Sequence, residues 1–368
     1  MISALFVNYF THQLISRAVK SVLADDPTAE IIVVDNSEDM TEHTGLASIL
    51  PGNVKLIRAE KNLGFGNACN LAFKNSQGDF VLLLNPDAVI LPGFIKGAVE
   101  CMQQNPDFGG ITPKTYWDNS KTFVLPPGQM PTPLWELLIS IGFRLPVWGK
   151  HFSNRFKSDS ITTLYGDSLS NQEMLSGSTA FFRRNAILSL DHFFRPEFFM
   201  YYEDTDLSIR LLRKGWKLGL NPAIEAIHEW ENNPSKAVYS GSSRDLFMKL
   251  NFPRIDKVLG GLRGWIERQI QSKTIYHYDN LGSLAHSPKF YLAPEDGPYI
   301  IEVSPHPLFI PAAYFQYAGA LEEFSVFSPN IWRLMFKGDY FIRITNKKAE
   351  QNLYRFSMLS SPVSLSDN

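Results

Sequence analysis

The sequence has 368 residues, enough for two or three domains, with 44% hydrophobic and 20% charged residues, which excludes a disordered or collagen-like chain. Thirty-five Lys and Arg against 37 Asp and Glu leave a net charge of −2, so no basic excess points to nucleic acid. Two cysteines, Cys69 and Cys101, form neither a disulfide framework nor a metal-ligand spacing and suit a reducing, cytoplasmic setting.

From the N-terminus, MISALFVNYF lacks the basic and cleavage-site features of a signal peptide. No apolar run reaches the roughly 18 residues that argue for a membrane span, so a soluble or peripheral protein is expected. Ala4–Tyr9 reads as a strand and is followed by a helical pattern through Leu23. Glu30–Val34, Val54–Arg58 and Phe80–Leu84 read as further strands, with a helix over Asn67–Lys74. Apolar runs separated by helical patterns predict an open, mostly parallel α/β sheet. Ligands bind such sheets beyond the carboxyl ends of the strands, where Asp35–Ser37 and Asn85–Asp87 fall. Residues 111–172, rich in Pro, Trp and Ser, read as long loops with short helices. Regular structure returns with a strand at Ser178–Phe182, a helix at Asp204–Lys214, and strands at Lys217–Asn221 and Ile224–His228.

Residues 244–273 hold seven Lys or Arg against three Asp or Glu. Ile255, Val258, Leu259, Leu262, Trp265, Ile266 and Ile270 keep helical spacing, which predicts an amphipathic linker helix, greasy on one face and basic on the other. Such a segment suits either a membrane surface or a seam between domains. From residue 274 to 368 short β-type runs separated by Pro, Gly and Asn predict a small β-rich, sandwich-like domain. The expected division is therefore 1–243, 244–273 and 274–368.

Four segments place polar residues where strands end or helices begin. In IIVVDNS, Asp35 suits a ribose or base edge, and an Asx turn explains it equally well. In NLGFGNACN, Gly64 and Gly66 allow close backbone approach to a phosphate, although an ordinary capped loop has the same composition. In LLLNPDA, Asp87 is an oxygen donor for a hard cation such as Mg²⁺ or Mn²⁺, and a plain turn is the alternative. In FMYYEDTDLSIRLLRKG, three carboxylates (Glu203, Asp204 and Asp206) crowd a helix start. The helix macrodipole accounts for one or two of them; three packed in a cleft would perturb each other toward a general base. His228 closes AIEAIH as a structural residue or a metal ligand.

The ordered string IIVVDNS, KNLGFGNACN, LLLNPDAVI, LSGSTAFFRRNAI, FFMYYEDTDLSIRLLRKGWKL and AIHEW resembles the family 2 glycosyltransferases, specifically their bacterial rhamnosyltransferase-like branch. The likeness covers residues 1–230. It implies a GT-A fold, a nucleotide-sugar donor (dTDP- or UDP-linked) and an inverting reaction on a glycan or lipid-linked glycan acceptor; the expected location is cytoplasmic, with the amphipathic segment 244–273 offering a peripheral contact at the inner face of the bacterial inner membrane. Position by position it implies donor contacts for Asn8, Asp35, Asn36, Asn62, Gly64, Asn67 and Asn85. It implies a Mn²⁺ or Mg²⁺ site at Asp87 and His228, and Asp204 as base with Glu203 and Asp206 beside it. Asn85 stands where the family's metal motif opens with an acid, which leaves one strong carboxylate. A nucleotidyltransferase or a non-catalytic glycan-binding protein are the other classes considered; Met1–Gln13 lacks the Gly-rich basic loop that the first requires.

Overall fold

The computed structural model describes residues 1–231 and 237–358. Its N-terminal part runs β1 (Ile2–Asn8), α1 (His12–Asp25), β2 (Glu30–Asp35), α2 (Met40–Ile49), β3 (Lys55–Arg58), α3 (Phe65–Lys74), β4 (Phe80–Leu84), β5 (Ala88–Ile90), α4 (Phe94–Gln104) and β6 (Phe108–Tyr116). There follow α5 (Pro133–Gly142), α6 (Pro146–Tyr165), β7 (Ser170–Gln172), β8 (Thr179–Arg183), α7 (Arg184–Leu188), α8 (Glu203–Arg213) and β9 (Lys217–His228). The nine strands form one sheet in the order β3-β2-β1-β4-β8-β6-β9-β5, with β7 paired to β9. The β3-β2-β1-β4 half is parallel throughout, and β8 runs against it.

Side-chain alternation explains why these runs are apolar without a break. Ala4, Phe6, Ile31 and Val33 face a core shared with α1 and α4, while Leu5, Val7, Ile32 and Val34 face one shared with α3 and α8. Strands covered on both sides have no polar face to show in the sequence. This is the expected α/β sheet with helices on both faces.

The structure corrects the loop-rich reading of 111–172. β6 extends to Tyr116, and α6 is a 20-residue helix. Its buried stripe is Gly149, Ser153, Phe156, Ser160 and Leu164, at helical spacing but mostly small or polar, so it carries almost no hydrophobic period. The two strands expected at 217–221 and 224–228 are one strand, β9; its pairing with β6 shifts register between Pro113 and Lys114. The single amphipathic helix expected over 244–273 is two helices, α9 (Ala237–Asn251) and α10 (Pro253–Gln269). Pro253 sits in the first turn of α10, where its missing N–H matters least.

Beyond α10 lie β10 (Asp279–Leu284), β11 (Lys289–Phe290), β12 (Tyr299–Ser304), β13 (Ala313–Tyr317), β14 (Phe324–Ser325), α11 (Pro329–Leu334), β15 (Gly338–Thr345) and β16 (Gln351–Met358). Five strands make a sheet in the order β10-β16-β15-β12-β13, and β11 pairs with β14 as a separate ribbon. The last ten residues of the β-rich region expected over 274–368 lie outside the described residues. On one face of the five-stranded sheet Tyr299, Ile301, Ile342 and Ile344 pack with the ribbon side chains, α11, Trp117 and Phe123. The other face meets α6. There Arg343 and Glu302, both fully buried, form an ion pair at 2.5 Å; Lys157 reaches Glu302 at 3.2 Å, and Arg343 donates to the Ser153 hydroxyl at 2.9 Å. Val124 and Tyr314 exchange backbone hydrogen bonds of 2.8 and 2.9 Å, so the two sheets are also joined through the main chain.

Candidate active site

Every motif singled out in the sequence arrives at the carboxyl edge of the large sheet. Asn8 and Asp35 end the neighbouring strands β1 and β2 in register. Asn85–Asp87 is the turn between β4 and β5, the 176–178 loop leads into β8, and His228 closes β9 opposite Ala88.

Backbone contacts stitch these loops into one surface. The Asn85 amide donates to the Ser178 carbonyl at 2.8 Å, and the Glu229 amide to the Asp87 carbonyl at 3.0 Å. His228 Nε2 lies 3.3 Å from Asp87 Oδ1. One residue along from Ser178, the Gly177 amide donates to Asp204 Oδ2 at 2.9 Å, while the Thr205 amide donates to Asp204 Oδ1 at 2.7 Å. Asp204 is half-buried and both its oxygens are oriented; burial holds its carboxyl above the usual carboxylate range against those hydrogen bonds. Sequence reasoning missed Gly177 as the clamp. Its signal lay in LSGSTAF, a small-residue turn immediately before a buried strand.

The entry to α8 is strained. Tyr201 and Tyr202 adopt left-handed φ values of 68° and 65°, costing on the order of 1 kcal/mol or more each in residues that carry a Cβ. This sharp reversal brings Glu203 and Asp204 to the sheet edge. Opposite it, Gly64 (φ 77°) packs so closely on the Phe199 carbonyl that a Cβ there would collide with it. The Phe65 amide donates to that same carbonyl at 2.9 Å, and Asn67 donates to the Pro196 carbonyl at 3.1 Å. The glycine loop and the acidic motif are thus one built unit.

The three carboxylates separate. Asp206 is fully buried between Arg195 (3.0 Å) and Arg210 (2.6 Å) and also accepts from the Asn251 amide at 2.9 Å. It ties α8 to α9 and is closed to a substrate, a correction to its grouping with the catalytic acids. Glu203 is buried beside Gly66, and its Oε2 has no hydrogen-bond partner. Burial, then the neighbouring Asp204, push its pKa up to about 8, so at neutral pH it is a neutral acid next to the oriented Asp204.

That assignment has a pH signature. The native state holds the Glu203 proton between 4.5 and about 8 while the unfolded chain releases it, so the stability this proton confers is whole below 4.5 and drains away as pH rises to 8. Glu203→Gln keeps the neutral shape and cannot ionise. Its thermal unfolding should match wild type near pH 4.5 and exceed it at pH 8, by up to about 4 kcal/mol. A gap that stays the same at both pH values would refute the buried proton.

The donor-side residues also take on defined positions. Asn8 and Asp35 are fully buried, with Asn8 Nδ2 3.2 Å from Asp35 Oδ1 and 3.0 Å from Glu42 Oε1. Ser37 and His43 complete the shell of Asp35 at 2.7 and 2.9 Å, and His12 pairs with Glu42 at 2.7 Å. Asn36 accepts from the Leu63 amide at 2.8 Å and donates to Asn62 at 2.9 Å. The side chains of Asn8 and Asp35 are thus buried and held among Thr11, Ser37, Glu42 and His43, and it is Asn36 that braces the 62–67 loop. His12 at the start of α1 and Glu42 and His43 on α2 were missed because neither helix carries a motif; only folding brings them to the ends of β1 and β2.

Among the described residues no three His, Cys, Asp or Glu side chains cluster as a metal cage. Asp87 and His228 are a pair, and Asn85 Oδ1 in the same turn is buried without a hydrogen-bond partner. This donor set fits Mg²⁺ or Mn²⁺, since Mg²⁺ is commonly held by one or two carboxylates with substrate phosphates completing the shell. Beside the pair opens a cavity of about 230 Å³. Ser176, Ser178, His228, Trp117 and Trp230 line it together with Val303, Ala313 and Tyr340 of the C-terminal sheet.

The family model for glycosyl transferase family 2 matches residues 3–187, and that for glycosyl transferase family group 2 matches residues 138–254. The N-acetylglucosaminyl-diphospho-decaprenol L-rhamnosyltransferase of Mycobacterium tuberculosis (strain ATCC 25618 / H37Rv) is 27% identical over 222 residues, covering 56% of this chain and 68% of that one. The rhamnosyltransferase WbbL of Escherichia coli (strain K12) is 23% identical over 256 residues, covering 66% and 89%. Among solved structures, S. aureus TarS 1-349 is 18% identical with a TM-score of 0.39, covering 61% of this chain and 59% of that one. The mannosyltransferase PcManGT of Pyrobaculum calidifontis, in complex with GDP-Man and Mn²⁺, is 13% identical with a TM-score of 0.43, covering 73% and 75%.

Proposed function

The chain belongs to glycosyl transferase family 2, and on that premise we propose that it transfers rhamnose, with inversion, from dTDP-rhamnose to a hydroxyl of a lipid-linked bacterial surface glycan. It is a nucleotide-sugar-dependent glycosyltransferase, which sets aside the nucleotidyltransferase and the inert glycan binder. The sugar is supported by the two relatives named as rhamnosyltransferases, and the lipid-linked acceptor by the diphospho-decaprenol in the name of the mycobacterial one.

The observation that carries the chemistry is the clamping of Asp204 by the same loop that hydrogen-bonds the Asn85–Asp87 turn. The donor lies over the 62–67 loop and that turn, and the acceptor enters through the cavity beside His228. The acceptor hydroxyl comes within about 2.6–3.2 Å of Asp204. Asp204 takes its proton as the oxygen bonds to the anomeric carbon, and the bond from that carbon to the nucleoside diphosphate breaks on the opposite face. Glu203, neutral, adds no second charge beside the base. A divalent ion held by Asp87 and His228 would neutralise the departing diphosphate. Among the described residues no helix is long and apolar enough to cross a membrane; the reading puts the enzyme at the cytoplasmic face, where its acceptor lipid is exposed.

A thermal-shift series with dTDP-rhamnose, UDP-galactose and UDP-galactofuranose, each with and without Mn²⁺, tests the donor. At about a hundredfold its Kd, a ligand stabilises by roughly 2.7 kcal/mol, and dTDP-rhamnose with Mn²⁺ should give the largest shift. Radiolabelled rhamnose should then pass to an N-acetylglucosaminyl-diphospho-prenol. A larger shift with a UDP-sugar and transfer from it alone would reject rhamnose.

A further inference from the structure

We propose that the outward face of α10, together with Leu145 and the first turn of α6, docks onto an anionic lipid bilayer. None of the residues of α10 is buried, although its sequence carries a continuous apolar stripe. α10 runs alongside α5 in the same direction, tied to it by polar links: Arg263 pairs with Glu136, the Ser140 hydroxyl donates to Glu267 at 3.0 Å, and Arg144 donates to the Ile270 carbonyl at 2.8 Å. At about 100° per residue, Asp256, Arg263 and Glu267 share this inner face within roughly 40°.

Ile255, Val258, Leu262 and Trp265 therefore turn to solvent, with Val258 68% exposed. That inverts the usual arrangement of a helix on a globular protein, whose apolar stripe faces the core. At the end of α10 the Arg144 contact brings in the next turn, where Leu145, Trp148 and Val147, the last 82% exposed, add to the apolar surface.

Charge selects the occupant. Arg254, Lys257 and Arg268 flank the stripe, Lys150 and Lys273 adjoin its far end, and all five are exposed. Apolar and Trp side chains rimmed by Lys and Arg suit the headgroup boundary of an anionic leaflet. A second copy fits poorly, because a two-fold contact through this patch would bring like charges together. The inference rests on the transferase reading only for its purpose, which is to hold the cavity near a lipid-borne acceptor.

Flotation of the full chain with vesicles of phosphatidylethanolamine and phosphatidylglycerol, against pure phosphatidylcholine, tests it without any sugar present. Wild type should float with the anionic vesicles, and less at high salt. Val258→Asp with Leu262→Asp should lower apparent affinity at least tenfold, and Lys257→Glu with Arg268→Glu severalfold. All variants should keep the wild-type unfolding temperature and donor-induced shift, since none of these side chains is packed in the core. Wild type that stays with the soluble fraction, variants that float like wild type, or a wild-type dimer in sedimentation that the Asp pair dissolves would each overturn the proposal. Lost flotation with an intact donor shift rejects docking alone; flotation with no donor shift rejects the transferase reading alone.

Discussion

Asp204→Asn should lower transfer by roughly 10²–10⁴-fold, the range expected for loss of a positioned general base, while donor affinity by calorimetry stays within about threefold of wild type. The substitution keeps size and keeps the oxygen that accepts from Thr205. It turns an amide toward the Gly177 N–H in place of Oδ2, so thermal unfolding should accompany the kinetics. Single-turnover measurement with saturating donor isolates the chemical step. In wild type, burial raises the Asp204 carboxyl, so the rate should fall as pH drops through a value above the ordinary carboxylate range, and the variant should lack this acid limb. Near-normal turnover in the variant would remove Asp204 as the base.

Asp87→Ala should abolish most of the increase in donor affinity that Mn²⁺ brings, an effect at least as large as the roughly ten- to hundredfold that loss of an outer-shell partner of a metal ligand costs. The contact that fixes this turn to β9 runs from the Glu229 amide to the Asp87 main-chain carbonyl, so the backbone survives loss of the carboxylate. Donor titrations with and without Mn²⁺, on both proteins, separate the cation's share from the rest. Affinities in the variant that respond to Mn²⁺ as wild type does would place the ion elsewhere.

Much of this site was legible before folding because strand ends and helix starts use recognisable chemistry. Asp35-Asn36, Asn85-Pro86-Asp87 and Glu203-Asp204 all stand where an apolar run stops or an amphipathic one begins. Asp206 was misgrouped for a geometric reason: two residues along a helix is about 200° of rotation, so Asp204 and Asp206 cannot face one cavity. The burial of Asn8 and Asp35 was invisible because it depends on Glu42, His12 and His43 arriving from outside any motif. Long range also hid α6, whose seat on the C-terminal sheet is cut by Gly149, Ser153 and Ser160 and not by large apolar side chains. The helical period of α10 was plain in the sequence. Which way that stripe turned was not, because the answer lies in Glu136 and Ser140 more than a hundred residues upstream.

The ion pair between Glu302 and Arg343, with Lys157 from α6 against it, bears on how this protein can be re-engineered. Removing the C-terminal strands would strand a lysine without its counter-ion and open a small-residue groove to water, and it would strip one wall from the cavity. Exchanging tails between relatives should therefore fail as a simple cassette swap and succeed only when α6 travels with its own sheet. The catalytic half of this chain and its β-rich half are better treated as one inheritable piece.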